Sequence, residues 1–189
     1  MPTTALLVEI VIVGFIFFIS MIPIVSTLFN FSPTEILGIY NSVPIHLQLA
    51  LAYPFGVIWN RICDQVFSRL DEIIISLKFK NKTDFQFARI EVVMYGESIR
   101  DYIGNFRSLI RIARAVSFSF FIYIFFTPLY FYTHQEKFTG FINLTLIVVL
   151  EFILFSSSMF SWYKLERGYV SAIRDALSIV KKHKNDLEE

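Results

Sequence analysis

Four long apolar runs, at about Ala5–Phe29, Val43–Asn60, Ala115–Tyr132 and Phe141–Tyr163, leave this chain few ways to fold. A bilayer's hydrocarbon core takes a helix of about 20 apolar residues, and only a helix or a closed barrel satisfies its own backbone there. Runs this continuous lack the alternation of barrel strands, so each is expected to be a transmembrane helix. The composition agrees. The 189 residues are 55% hydrophobic and 17% aromatic, with a mean hydropathy of +0.58, more apolar than the surface of a soluble domain permits. The expected fold is therefore an all-α membrane protein with four transmembrane helices in a single polytopic domain.

The first run reads as a span rather than a signal peptide, because "MPTT" carries no positive charge and the run is too long for an h-region. The second is short and places Pro54 near Gly56, which suggests a kinked span running on past Asn60. Aromatic residues near the ends of the runs (Trp59, Tyr130, Tyr132, Trp162, Tyr163) are expected to form interfacial belts.

Charge is badly mixed, and that sets the orientation. Met1–Asn60 contains only Glu9 and Glu35, whereas Arg61–Arg114 holds ten Lys and Arg. With the amino terminus inside, the outer loops Asn30–Ser42 and Thr133–Gly140 carry a single basic residue, Lys137. The inner segments carry the other sixteen. Cytoplasmic loops are the basic ones, so both termini are expected in the cytoplasm. The inner segments are expected to be helical extensions: a hairpin over 61–114 between spans 2 and 3, and an amphipathic C-terminal helix over 164–189. "KNKTD" is the expected turn of the hairpin, with Thr83 or Asp84 as the cap of the returning helix. Leu165, Tyr169, Ile173, Leu177 and Val180 form the stripe that the last helix turns toward this hairpin, and "KKHKNDLEE" is expected to fray.

The returning helix carries the most unusual pattern. On a single helix over 85–114, Arg89, Arg100, Arg107, Arg111 and Arg114 fall within a stripe about 60° wide, beside an apolar stripe that includes Ile103, Phe106 and Ile110. Arg111 and Arg114, nearest the membrane, are read as lipid and interface contacts. The others have two readings. Either they pair with local acids such as Asp64, Asp71 or Glu72, or Arg89, Arg100 and Arg107 dock an acidic partner or a phosphate-bearing ligand through bidentate guanidinium contacts. Direct nucleic-acid binding is not expected, since no recognised binding pattern is present and the net charge is only +1.

Two acids sit where acids are costly. Glu151 lies mid-run and Glu9 about one turn inside the first run. An intramembrane carboxylate is a functional-site candidate, and its plainer role is a hydrogen bond between helices. Catalysis has no sequence signal: nucleotide, hydrolase, zinc and CxxC motifs are all missing. The histidines, His46, His134 and His183, are scattered along the chain, and the one cysteine is Cys63. No enzyme activity, cofactor or metal is expected.

The stretch "YPFGVIWNRICDQVFSRLDEI", the arginine-bearing helix after it and the four-run layout together resemble the membrane subunit of the Kiwa antiviral defence system of bacteria. The resemblance is one of architecture over the whole chain and carries over no site residues. It implies an inner-membrane homo-oligomer that holds a soluble, DNA-binding partner and responds to phage at the envelope. The expected function is a sensor or anchor subunit in contact with membrane lipid and a soluble cytoplasmic protein. The alternative is an oligomeric ion-conducting channel or membrane-disrupting effector with Glu151 in its path.

Overall fold

The computed structural model describes residues 2–29, 31–95, 97–133 and 141–188. Their regular structure is entirely helical: α1 (Pro2–Phe29), α2 (Pro33–Ser42), α3 (Ile45–Ser76), α4 (Lys82–Tyr95), α5 (Glu97–Thr133) and α6 (Phe141–Glu188). Helices α1, α5 and α6 each contain a stretch long and apolar enough to span a membrane. A fourth candidate is the pair α2 and α3, bent by 112° at their junction.

Several local expectations change. The segment 30–42 is not a plain loop, because Pro33–Ser42 is helical. The Ser32 hydroxyl accepts from the Glu35 backbone N–H, and the Glu35 carboxylate accepts from that of Ser32, a reciprocal cap with Pro33 in the first turn. Gln48 then closes the α2–α3 corner by donating to the carbonyls of Tyr40, which also accepts the Val43 N–H, and of Val43, beyond the end of α2. At the hairpin turn the cap is Asn81 rather than Thr83 or Asp84: its side-chain oxygen accepts the Asp84 N–H at 2.7 Å. The single returning helix expected over 85–114 is two helices, α4 ending at Tyr95 and α5 starting at Glu97. The residue between them is Gly96, the residue least suited to a helix interior after proline. Helix α6 extends through the charged C-terminal stretch as far as Glu188.

Small residues let α1 and α3 approach each other closely. They cross antiparallel at Gly14, Ala52 and Gly56. A Cβ built on Gly14 would lie 1.9 Å from the Ala52 carbonyl oxygen, and one on Gly56 would lie 2.0 Å from that of Ile10. Between apolar helices in lipid, close backbone contact of this kind is a main source of association, because hydrocarbon solvates leucine as well as another helix does. Hydroxyls join α1 to its parallel neighbour α5: Ser20 donates to Ser119 at 2.5 Å, and the Tyr123 hydroxyl donates to the Ile19 carbonyl. Helix α5 packs on its other side against antiparallel α6.

Two apolar cores result. One, built on α1, α3 and α5, contains Val13, Trp59, Cys63, Ala115 and Ile122. The other joins α3, α4, α5 and α6 through Phe67, Ile74, Phe85, Val92, Ile110, Trp162 and Ile173. Trp59, Tyr130 and Trp162, read from sequence as belt residues, are buried. Trp59 packs on Phe17 and Phe118, and Trp162 on Phe67, because those positions lie on helix faces turned into the bundle.

The α1–α3 crossing makes a direct prediction. Gly56→Ala is expected to destabilise the protein in detergent by about 1–3 kcal/mol, as overpacking does. Gly38→Ala, where an added Cβ meets nothing within 4 Å, is expected to cause no loss. Thermal unfolding of both variants checks this, and equal stability of the Gly56 variant would refute the close crossing.

Candidate functional site

Where the two cores meet, each long helix contributes charge. Helix α3 passes from Cys63 in one core to Phe67 in the other, with Asp64 between them and Asp71 one turn further on. Helix α5 passes from Ile110 to Ala115 with Arg111 and Arg114 between. Arg111 reaches α1 and pairs with Glu9 at 2.9 Å, and Ser108 also donates to Glu9. Arg114 is held by three carboxylates: Asp64 at 2.9 Å and Asp71 at 2.8 Å from α3, and Glu166 at 3.1 Å from α6. Its side chain is only 11% exposed. One ionic layer thus ties α1, α3, α5 and α6 together.

Three carboxylates around one guanidinium leave local negative charge in excess. Asp71, which lies beyond the apolar run ending at Asn60, shows the consequence. Burial pushes its carboxyl up from 3.8 to about 7; Arg114 opposes the rise, and Glu166 and Asp64 add to it. Two enclosed atoms of this cluster, Arg114 Nε and Asp71 Oδ1, have no hydrogen-bond partner.

Beside the layer opens a polar cavity of about 260 Å³. Arg107, Arg111 and Arg114 line it from α5, Arg89 from α4, and Glu166 and Tyr169 from α6. The arginine pattern seen in the sequence is therefore real as a cluster but not as a flat stripe on one helix. Arg89 stands on a second helix, and Arg111 and Arg114 turn toward protein carboxylates rather than a leaflet. Arg100 is on α5, and its side chain lies outside the described residues. Of the expected acid partners, Asp64 and Asp71 do join the cluster, although their partner is Arg114, and Glu72 instead pairs with Lys82 at the surface. Glu166 was missed. It follows the fourth apolar run by three residues, and that depth, level with Glu9 and Asp64, is the only sequence signal that would have pointed to it.

Glu151 is buried between α5 and α6, where Thr127 donates to its Oε1 at 2.7 Å. Its Oε2 is enclosed without a partner. The geometry is that of a hydrogen bond joining two helices. Asn143 and the segment 134–140, with Lys137 and His134, lie outside the residues whose side chains are described. Among the described residues no group of His, Cys, Asp and Glu has the arrangement of a metal site. No protein-family profile matches the chain, and no curated protein or solved structure is similar to it.

Two outcomes are expected of the ionic layer. Arg114→Gln leaves three carboxylates without their cation and should cost about 3–5 kcal/mol, as breaking a buried pair does, whereas Lys82→Gln, in an exposed pair, should leave unfolding in detergent unchanged. The second concerns pH. A carboxyl whose folded value is raised stabilises the fold fully below its unfolded value and loses that contribution as pH rises through the folded value. For Asp71 the window runs from 3.8 to about 7. Asp71→Asn should therefore flatten the fall in unfolding temperature across that window, and an unchanged pH profile would contradict the assignment.

Proposed function

We propose that this chain is a four-span protein of a bacterial inner membrane, with both termini cytoplasmic, that oligomerises and anchors a soluble partner. The depth of the ionic layer supports four spans. Glu9, Asp64, Arg114 and Glu166 mark one level on α1, α3, α5 and α6. Each helix continues about 20 residues beyond it in the same direction, roughly 30 Å at 1.5 Å per residue, the thickness of a bilayer's hydrocarbon. The concentration of Lys and Arg on the other side of the layer supports the orientation.

The observation that carries the anchoring role is the outer face of α4. This helix sits below the layer, packed on α6 through Phe85 and Tyr169. Yet it exposes Phe87 (67%), Ile90 (51%) and Met94 (82%), at i, i+3 and i+7. An exposed apolar stripe along one helix face is a protein-binding feature. The similarity of layout to the membrane subunit of Kiwa supports a setting in phage defence, where that partner is a soluble DNA-binding protein. The channel reading finds less support. Glu151 is buried and accepts a hydrogen bond from Thr127 of the same chain, which favours the plainer helix-joining role.

Expressed in cells with a photo-crosslinking residue in place of Ile90, the protein should yield an adduct with a soluble protein, and Phe87→Asp with Met94→Asp should abolish it without affecting membrane insertion. Adducts only between copies of the chain would reassign α4 to the oligomer interface. Reporters at Asn81 and Glu189 should read cytoplasmic and one at Gln135 external. An external signal at Asn81 would overturn the orientation and, with it, the docking face.

A further inference from the structure

Charge pairing around the polar cavity is uneven. Arg111 is taken by Glu9, and Arg114 by Asp64, Asp71 and Glu166. Arg89 and Arg107 also line the cavity, but among the described residues neither forms an ion pair with a carboxylate. They are close enough to repel each other, and Arg111 adds to the repulsion on Arg107. Two guanidiniums that converge with no ion-pair partner among the described residues, and with only the weaker attraction of Asp64 and Glu166 on Arg107 to offset their repulsion, form an arrangement that an anion between them would relieve.

Tyr169 is the independent sign of a ligand. It is 4% exposed, lines the same cavity, and its phenol oxygen is enclosed with no hydrogen-bond partner. Arg107 stands beside it, Arg89 lies at the edge of donating reach of its oxygen, and no described group accepts the phenol proton. A buried hydroxyl without a partner costs free energy, and this one would be satisfied by donating to an oxyanion held by the two arginines. The cavity's other walls include Ile75, Phe85 and Ile110, together with Lys82 and the Asp64, Asp71 and Glu166 carboxylates that Arg114 engages. At about 260 Å³ it accommodates a small oxyanion with a few waters, since one water occupies about 30 Å³ of the liquid. A folded peptide segment does not fit.

We infer that this cavity is a binding site for a single phosphate group, gripped by Arg89 of α4 and Arg107 of α5 with the Tyr169 hydroxyl as a third donor. The guanidinium forks supply the bidentate geometry that phosphate oxygens accept. Because the three donors come from α4, α5 and α6, an occupied site joins the membrane-proximal helices to the α4 docking face. Binding itself stands whether or not that face anchors a partner. The phosphate has two possible sources, a soluble phosphate compound or an anionic lipid headgroup, and the site lies next to the layer where headgroups would be.

The test uses the full-length protein purified in a neutral detergent. Inorganic phosphate is titrated while unfolding temperature is followed, and, separately, phosphatidic acid is compared with phosphatidylcholine in mixed micelles. Saturable stabilisation by phosphate that chloride at equal ionic strength does not reproduce supports the site with a soluble ligand. Stabilisation by phosphatidic acid alone supports it with a lipid ligand. In either case Arg89→Gln and Arg107→Gln should each weaken binding by about tenfold or more, since a hydrogen bond to a charged group is at stake. Tyr169→Phe keeps the buried ring and removes only the hydroxyl, so it should fold even if an arginine variant does not, and should weaken binding several-fold. The inference is overturned if neither phosphate nor phosphatidic acid stabilises the wild type, or if the Tyr169→Phe and arginine variants bind as tightly as it does.

Discussion

Arg114 among Asp64, Asp71 and Glu166 is the contact on which the rest of the architecture depends. Apolar helices side by side in hydrocarbon gain little from any one vertical register, because lipid tails solvate their side chains almost as well as neighbouring helices do. A charge removed from water is different. It is tolerated only where its partners meet it with good geometry. Three carboxylates on one guanidinium, with Glu9 on Arg111 one turn away, therefore select one vertical alignment of α1, α3, α5 and α6. The close crossing of Gly14 and Gly56 and the hydroxyl pair of Ser20 and Ser119 then tighten a register that the charges have already chosen.

The same layer divides the molecule by chemistry. On one side the helices display large apolar side chains outward, as Leu146, Phe152, Ile153 and Phe160 of α6 do, which only lipid or another membrane helix would cover. On the other side the helices gather a second core around Phe67, Phe85, Val92 and Ile173 and surround a polar cavity. Charge that is overpaired at Arg114, and without an ion-pair partner among the described residues at Arg89 and Arg107, lies within a single cluster. An arrangement tuned only for stability would have distributed the acids more evenly, and that imbalance is what motivates the proposed phosphate site. Local departures from self-consistency of this kind are characteristic of functional sites.

Much of this was legible in the chain itself, and unevenly so. The apolar runs, the helical class, the turn near Asn81 and the inward stripe of Tyr169 and Ile173 all follow from periodicity and length, which are local properties. The clustering of arginines was also visible, as were the two acids in apolar runs. The destination of those side chains was not. Arg89 and Arg107 look like neighbours on one continuous face only if a single helix carries both, and they stand on α4 and α5. The tryptophans misled for a related reason: their position near the ends of runs suggests an interface, and nothing in the run says that their faces turn inward.

What the amino-acid sequence determined alone was the solvent each segment requires and the secondary structure that solvent imposes, because burial and backbone satisfaction act residue by residue along a helix. Which charges meet was decided only by tertiary structure. Glu9 and Arg111 lie 102 residues apart, and Arg114 and Glu166 lie 52 apart. No local rule links them, since such partners are chosen by how four helices align and cross. The physical reason is the difference between the two forces: apolar burial has no direction, whereas an ion pair in a dry interior exists at one distance and one orientation or not at all.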